Sequence, residues 1–134
     1  MTLTDFILQR VAEDEAPTFE IVPDPRNPGY VGHACLICGT GPTFGGTVEA
    51  ITEIAEEHAE QVHRRSRVLA ECEAKRQMVA DYLTFQRVSD ERAEGTPLPQ
   101  ALTAAGIARG MWHALQILAL PYADHEDYRQ EWKP

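Results

Sequence analysis

Residues 18–48 restrict the fold of this chain more than any other part. Pro23, Pro25, Pro28 and Gly29 enforce irregular backbone, and Gly39, Gly41, Gly45 and Gly46 follow. No helix fits across such a stretch. Strands within it must be short, and 18–22 reads as one. Roughly thirty residues of irregular chain inside a compact domain need something to organise them.

The same stretch offers an organiser. Residues 34–40 read Ala-Cys-Leu-Ile-Cys-Gly-Thr. A C-x-x-C turn aims both sulfurs inward, so Cys35 and Cys38 can reach one ion. Gly39 lets the backbone turn left-handed and offer amides to the sulfur. Zinc then needs two more ligands. The spacing Cys35-x2-Cys38-x19-His58-x4-His63 resembles a Cys2His2 pattern with a lengthened middle. His58 and His63 lie roughly 140° apart on an ideal helix, so they converge only if the helix tightens or breaks between them. His33, two residues before Cys35, is a rival ligand. The competing readings are a pair of plain reduced cysteines and a redox pair. A redox pair usually opens a helix after a strand, whereas glycines follow here.

A structural rather than catalytic zinc is expected, because four protein ligands close the site to substrate. The chain has no H-E-x-x-H arrangement, no Gly-x-Ser-x-Gly elbow, no phosphate loop and no deaminase signature. No catalytic residue is assigned.

Helical periodicity accounts for the rest. Residues 3–15 form an amphipathic helix through Leu3, Phe6, Ile7 and Val11, with Thr2 and Asp5 spaced as a capping box. Over 48–93, Ile51, Ile54, Ala55, His58, Val62, Leu69, Cys72, Val79 and Leu83 recur on one face. This is one long central helix or a helix pair, with a break near Ser66, which would cap the second member. Cys72 reads as a small buried residue. Residues 95–99 make a turn. Residues 100–120 form a third helical region through Leu102, Ile107, Trp112, Leu115, Ile117, Leu118 and Leu120. Gly106 and Gly110 weaken it by up to ~1 kcal/mol each unless a close contact uses them. Pro121 ends it, and Asp124 and Asp127 are placed to cap a last turn through Trp132.

Two further groups are candidates for partner binding. Arg64, Arg65 and Arg67 form a basic cluster, which also reads as a solvated helix face. Tyr122, Tyr128 and Trp132 make the C-terminal segment aromatic. They either pack back on the helices or form a docking segment, since Tyr, Trp and Arg dominate binding hot spots.

Composition narrows the function classes. The chain has 134 residues, which suits a single domain over 1–134. The net charge of −9 makes the surface acidic and repels phosphate backbones, so nucleic acid is disfavoured. No stretch approaches the ~20 apolar residues needed to span a bilayer. The three cysteines, an odd number, suit a reducing compartment, and the expected location is cytoplasmic.

The ending Leu-Pro-Tyr-Ala-Asp-His-x-Asp-Tyr-Arg-x-Glu-Trp-Lys-Pro resembles that of a family of small uncharacterised proteins from actinobacteria and their phages. That family is classed as a domain of unknown function. The opening from Asp5 to Glu15 is similar to its first helix. The segment from His63 through Arg67, Val68 and Leu69 to Arg76 is similar to its central one. Arg64-Arg65 stands where the family usually has Asp-Pro. The resemblance implies no activity. If the chain is phage-encoded, it implies modulation of a bacterial host protein as one role.

The resulting expectation is a mainly α fold, with a small irregular zinc-knuckle region at 18–48, a central helical region at 48–93 and a C-terminal helix and tail at 100–134. The expected function is that of a non-enzymatic regulatory or protein-interaction protein with structural zinc. The alternatives are a zinc-stabilised nucleic-acid-binding regulator and a phage virion or assembly component.

Overall fold

The computed structural model describes residues 1–91 and 98–134. Its elements are α1 (Leu3–Asp14), β1 (Phe19–Pro23), β2 (Val31–Cys35), β3 (Thr43–Gly46), α2 (Val48–His63), α3 (Arg65–Asp90) and α4 (Leu98–Ala119). Two 3-10 turns follow, at Leu120–Tyr122 and Gln130–Trp132. Two compact units emerge: Glu15–Ala70, and Met1–Asp14 together with Glu71–Pro134. No helix among the described residues is long and apolar enough to cross a membrane.

The unit Glu15–Ala70 holds the stretch read as irregular, and this reading needs correction. It contains a three-stranded antiparallel sheet in the order β1-β2-β3. The loop from β1 to β2 closes on Asp24, whose carboxylate accepts from the Arg26 amide at 2.8 Å and the Asn27 side chain at 3.0 Å. β2 and β3 pair with a register irregularity at Val31 and Gly32. A Cβ on Gly32 would stand 2.4 Å from the Thr43 carbonyl oxygen, so only glycine allows this approach. β1 matches the strand expected at 18–22 within one residue, but β2 and β3 escaped the sequence because they are five and four residues long and β3 ends in two glycines. Such segments carry no clear two-residue alternation.

α2 packs against this sheet, chiefly against β2. Thr47 caps it, its hydroxyl accepting from the Ala50 amide at 3.4 Å. α2 buries Ile51, Ala55 and Ala59. Ile54 and Val62, expected on the inner face, are exposed. Cys35, Ile51, Ala55 and Ala59 are the buried hydrophobic residues of the unit.

The central helical region is a pair. The break falls at Arg64, in the left-handed conformation at φ 49° and ψ 47°, two residues before the expected position. Ser66 does not cap through its own oxygen. Glu60 reaches across the break instead, accepting from the Ser66 amide at 2.8 Å and the Ser66 hydroxyl at 2.6 Å.

In the second unit α1 carries the expected capping box. The Asp5 amide donates to the Thr2 hydroxyl at 3.1 Å, and the Thr2 amide donates to the Asp5 carboxylate at 3.0 Å. α1 packs on α4. α4 buries Ala104, Ala108, Leu115 and Ala119, while Leu102, Ile107, Ile117 and Leu120 are exposed. Of the expected inner face Leu115 is buried and Trp112 and Leu118 are half-buried, and Ala104, Ala108 and Ala119 take the other buried places. Cys72 is fully buried, as expected. Leu69 and Leu83, expected on the inner face of α3, are exposed. The turn at 95–99 falls largely outside the described residues; Leu98 and Pro99 already belong to α4. Gln130–Trp132 has no side-chain cap, so Asp124 and Asp127 do not play that part.

The C-terminal segment meets one row of α1. Phe6, Arg10 and Asp14 are spaced by four and so share a face. The Phe6 ring stands 5.1 Å from Trp132 and 5.9 Å from Tyr128, centroid to centroid. Arg10 is buried and bonds to His125 Nε2 and, at 2.8 Å, to Glu13. Asp14 accepts from the Tyr122 hydroxyl at 2.9 Å, which in turn accepts from Lys75 Nζ at 2.8 Å.

Candidate metal centre

Cys35 is the last residue of β2, and Cys38 sits on the turn that follows. The turn closes on itself: the Cys35 amide donates to the Thr40 carbonyl at 2.9 Å and the Gly39 amide to the Cys35 carbonyl at 3.0 Å. Gly39 takes the expected left-handed conformation, at φ +70°. Its amide serves the main chain rather than sulfur.

α2 brings the histidines. Cys35 Sγ lies 3.3 Å from His63 Nε2, and Cys38 Sγ lies 3.5 Å from His58 Nε2. The helix stays continuous to His63, so the difficulty of phase is solved in another way. The two sulfurs are separate targets, and each histidine meets a different one. The imidazoles stand 5.2 Å apart, nearly perpendicular at 73°.

One donor atom from each of Cys35, Cys38, His58 and His63 lies within 4.8 Å of all the others. Zinc bonds of about 2.3 Å to sulfur and about 2.0–2.1 Å to nitrogen put tetrahedral sulfur and nitrogen about 3.6 Å apart. The observed 3.3 and 3.5 Å separations fit that edge. These four residues can hold a metal ion.

The electrostatics agree with a ligand role. Cys38 is exposed, yet its thiol is lowered from 9.0 to about 5. The Thr40 hydroxyl, 3.0 Å away, is the main cause, followed by the Thr40 backbone and His58. Thiolate is the form that binds metals. Thr40 was not singled out from sequence; its place two residues after a C-x-x-C is the signal that could have found it.

The other sequence candidates divide. His33 stands outside the four-donor group, buried on β2, with its ring 6.3 Å from that of His58. Arg65 donates to the carbonyls of Glu15 at 2.6 Å and Ala16 at 3.0 Å. Arg64 is exposed at the helix break, and Arg67 is exposed near the start of α3. Tyr128 and Trp132 are only 9 % and 4 % exposed, so their rings pack inward rather than present a docking face. Tyr122 is half-buried against Asp14 and Lys75.

The sequence model of the family of unknown function DUF6221 matches residues 1–134. The chain belongs to that family. No curated protein and no solved structure matches it. Membership in DUF6221 brings no activity with it, so function must be argued from the centre itself.

Proposed function

We propose that this DUF6221 protein is a non-enzymatic interaction module whose unit Glu15–Ala70 is held together by structural zinc. The observation that carries the reading is the convergence of Cys35, Cys38, His58 and His63 within 4.8 Å. Two thiolates and two imidazoles suit zinc best among common ions. Four protein ligands complete its preferred coordination, leaving no open position for substrate.

The sparse core supports the same reading. Among the described residues of the unit, the buried hydrophobic side chains are Cys35, Ile51, Ala55 and Ala59. Below about 70 residues an ordinary core rarely supplies more than ~3–5 kcal/mol, and small units add a metal or disulfides. Here Ile51 is the one large aliphatic in that set. Zinc would tie the end of β2 and its turn to the C-terminal half of α2.

Interaction is supported by what stays uncovered. Leu36 and Ile37, between the two cysteines, are 54 % and 57 % exposed. An open groove of about 560 Å³ is lined by Pro17, Phe19, Ala59 and Leu69, with Glu56 and Glu60 among its walls. Protein is therefore the proposed partner class. The nucleic-acid alternative relied on three arginines, of which Arg65 is engaged by main-chain carbonyls.

The test is removal of the metal. Chelation, or changing Cys35 and Cys38 to Ser, is expected to unfold Glu15–Ala70, read as lost amide dispersion in NMR spectra. An unchanged spectrum after either treatment would refute the structural role.

A further inference from the structure

Resting on the zinc reading above, we propose that His33 is a fifth donor of the centre, able to replace His58 as a ligand. His33 and Cys35 are two apart on β2, so their side chains leave the same face of the strand. α2 packs on β2 from the side where Cys35 meets His63. His33 is only 7 % exposed, and its Nδ1 is buried without a hydrogen-bond partner. Leaving a buried polar atom unpaired is costly, so such an atom calls for a reason.

The surroundings supply one. The His33 ring lies 6.3 Å from the His58 ring, tilted by 50°. His33 thus stands beside His58 from the sheet side, just outside the four donors that lie within 4.8 Å of one another. His58 is half-buried and pairs with Cys38, the exposed cysteine; His63 pairs with Cys35, the buried one. The exchangeable position is therefore that of His58, on the open side. Exchange would leave Cys35, Cys38, His63 and His33 on the ion. It would also free the His58 imidazole without releasing the metal.

The experiment is cobalt(II) titration of the full chain, following the thiolate-to-metal and d–d absorption bands, in wild type, H33F, H58A, H63A and H33F/H58A. Phe replaces His33 so that the buried volume stays filled. Wild type and H33F are expected to bind one equivalent with the tetrahedral spectrum. H58A should keep that spectrum with an affinity loss of no more than about tenfold, while H63A and H33F/H58A lose about a hundredfold or more, beyond the loss expected from removing a hydrogen-bond partner of a ligand. Long-range nitrogen NMR of zinc-loaded H58A should show one His33 ring nitrogen shifted to a metal-bound position. Equal affinities for H58A and H33F/H58A, or an unshifted His33 ring, would overturn the proposal while leaving structural zinc intact. Failure of wild type to bind cobalt or zinc would instead overturn the zinc reading itself.

Discussion

Cys35 Sγ and His63 Nε2, 3.3 Å apart, join the last residue of β2 to the last residue of α2. Both side chains stand where a regular element stops. Immediately after His63, Arg64 turns left-handed and its amide closes α2 on Ala59 and Glu60. The proposed ligand His63 therefore sits at a capped helix end. His63→Ala removes a donor outright and is expected to weaken zinc binding by at least about a hundredfold, the most that losing a mere hydrogen-bond partner of a ligand costs. Competition with a chromophoric chelator measures this; an unchanged constant would contradict the role.

Stability of this unit should follow free zinc. A ligand that binds only the folded form adds RT ln(1 + [L]/Kd), about 1.4 kcal/mol for each tenfold rise well above Kd. The denaturation midpoint of Glu15–Ala70, followed by amide NMR signals, should rise with buffered zinc. A midpoint independent of zinc would go against a folding role.

Glu60 spans the break between α2 and α3. Its carboxyl lies below its ordinary 4.5 because it accepts from the Ser66 hydroxyl and amide. A lowered folded value means the carboxylate stabilises the fold above about pH 4.5 and loses that effect as pH falls through the lowered value. Replacing Ser66 with Ala removes the hydroxyl donor. The Glu60 carboxyl-carbon shift should then titrate closer to 4.5 than in wild type. No movement of the titration would contradict the contact.

Some of this was legible in the sequence. The Thr2–Asp5 box marks the start of α1 by residue type alone. The C-x-x-C with later histidines pointed to the residues that the fold brings together. The face of α1, the strand near 18–22 and the buried Ile51, Ala55, Cys72, Val79 and Leu115 were legible as well, but β2, β3 and the rest of the inner helix faces were not. Hydropathy favoured Ile54, Val62, Leu102 and Ile117, which are exposed, while Ala59, Ala104, Ala108 and Ala119, which were not singled out, are buried. Periodicity reports which residues prefer burial, not how closely a neighbouring element approaches. The break was foreseen near Ser66, but its position at Arg64 was not, because arginine carries no left-handed preference.

Gly106 and Gly110 occupy exposed positions of α4, and a Cβ at either would meet nothing within 4 Å. Among the described residues no close contact uses them. Gly106→Ala and Gly110→Ala should each stabilise the chain by about 0.5–1 kcal/mol through helix propensity and unfolded-state entropy. Urea denaturation measures this, and a loss of stability would reveal a contact that the fold does not contain.

The C-terminal aromatics should act as packing. Trp132 is buried against Phe6 and Tyr128. Trp132→Ala is expected to cost about 3–5 kcal/mol, the range for large aromatic truncations in cores. Helical circular dichroism during denaturation reads the change. A cost below ~1 kcal/mol would return Trp132 to the candidates for partner docking.

The account rests most on the centre at Cys35, Cys38, His58 and His63. Its most direct test is the metal content of the full chain purified without chelators or affinity metal, measured by native mass spectrometry and elemental analysis. One zinc per chain, lost together with the fold of Glu15–Ala70 on chelation, is the predicted result. A folded, metal-free chain that takes up no zinc would contradict it.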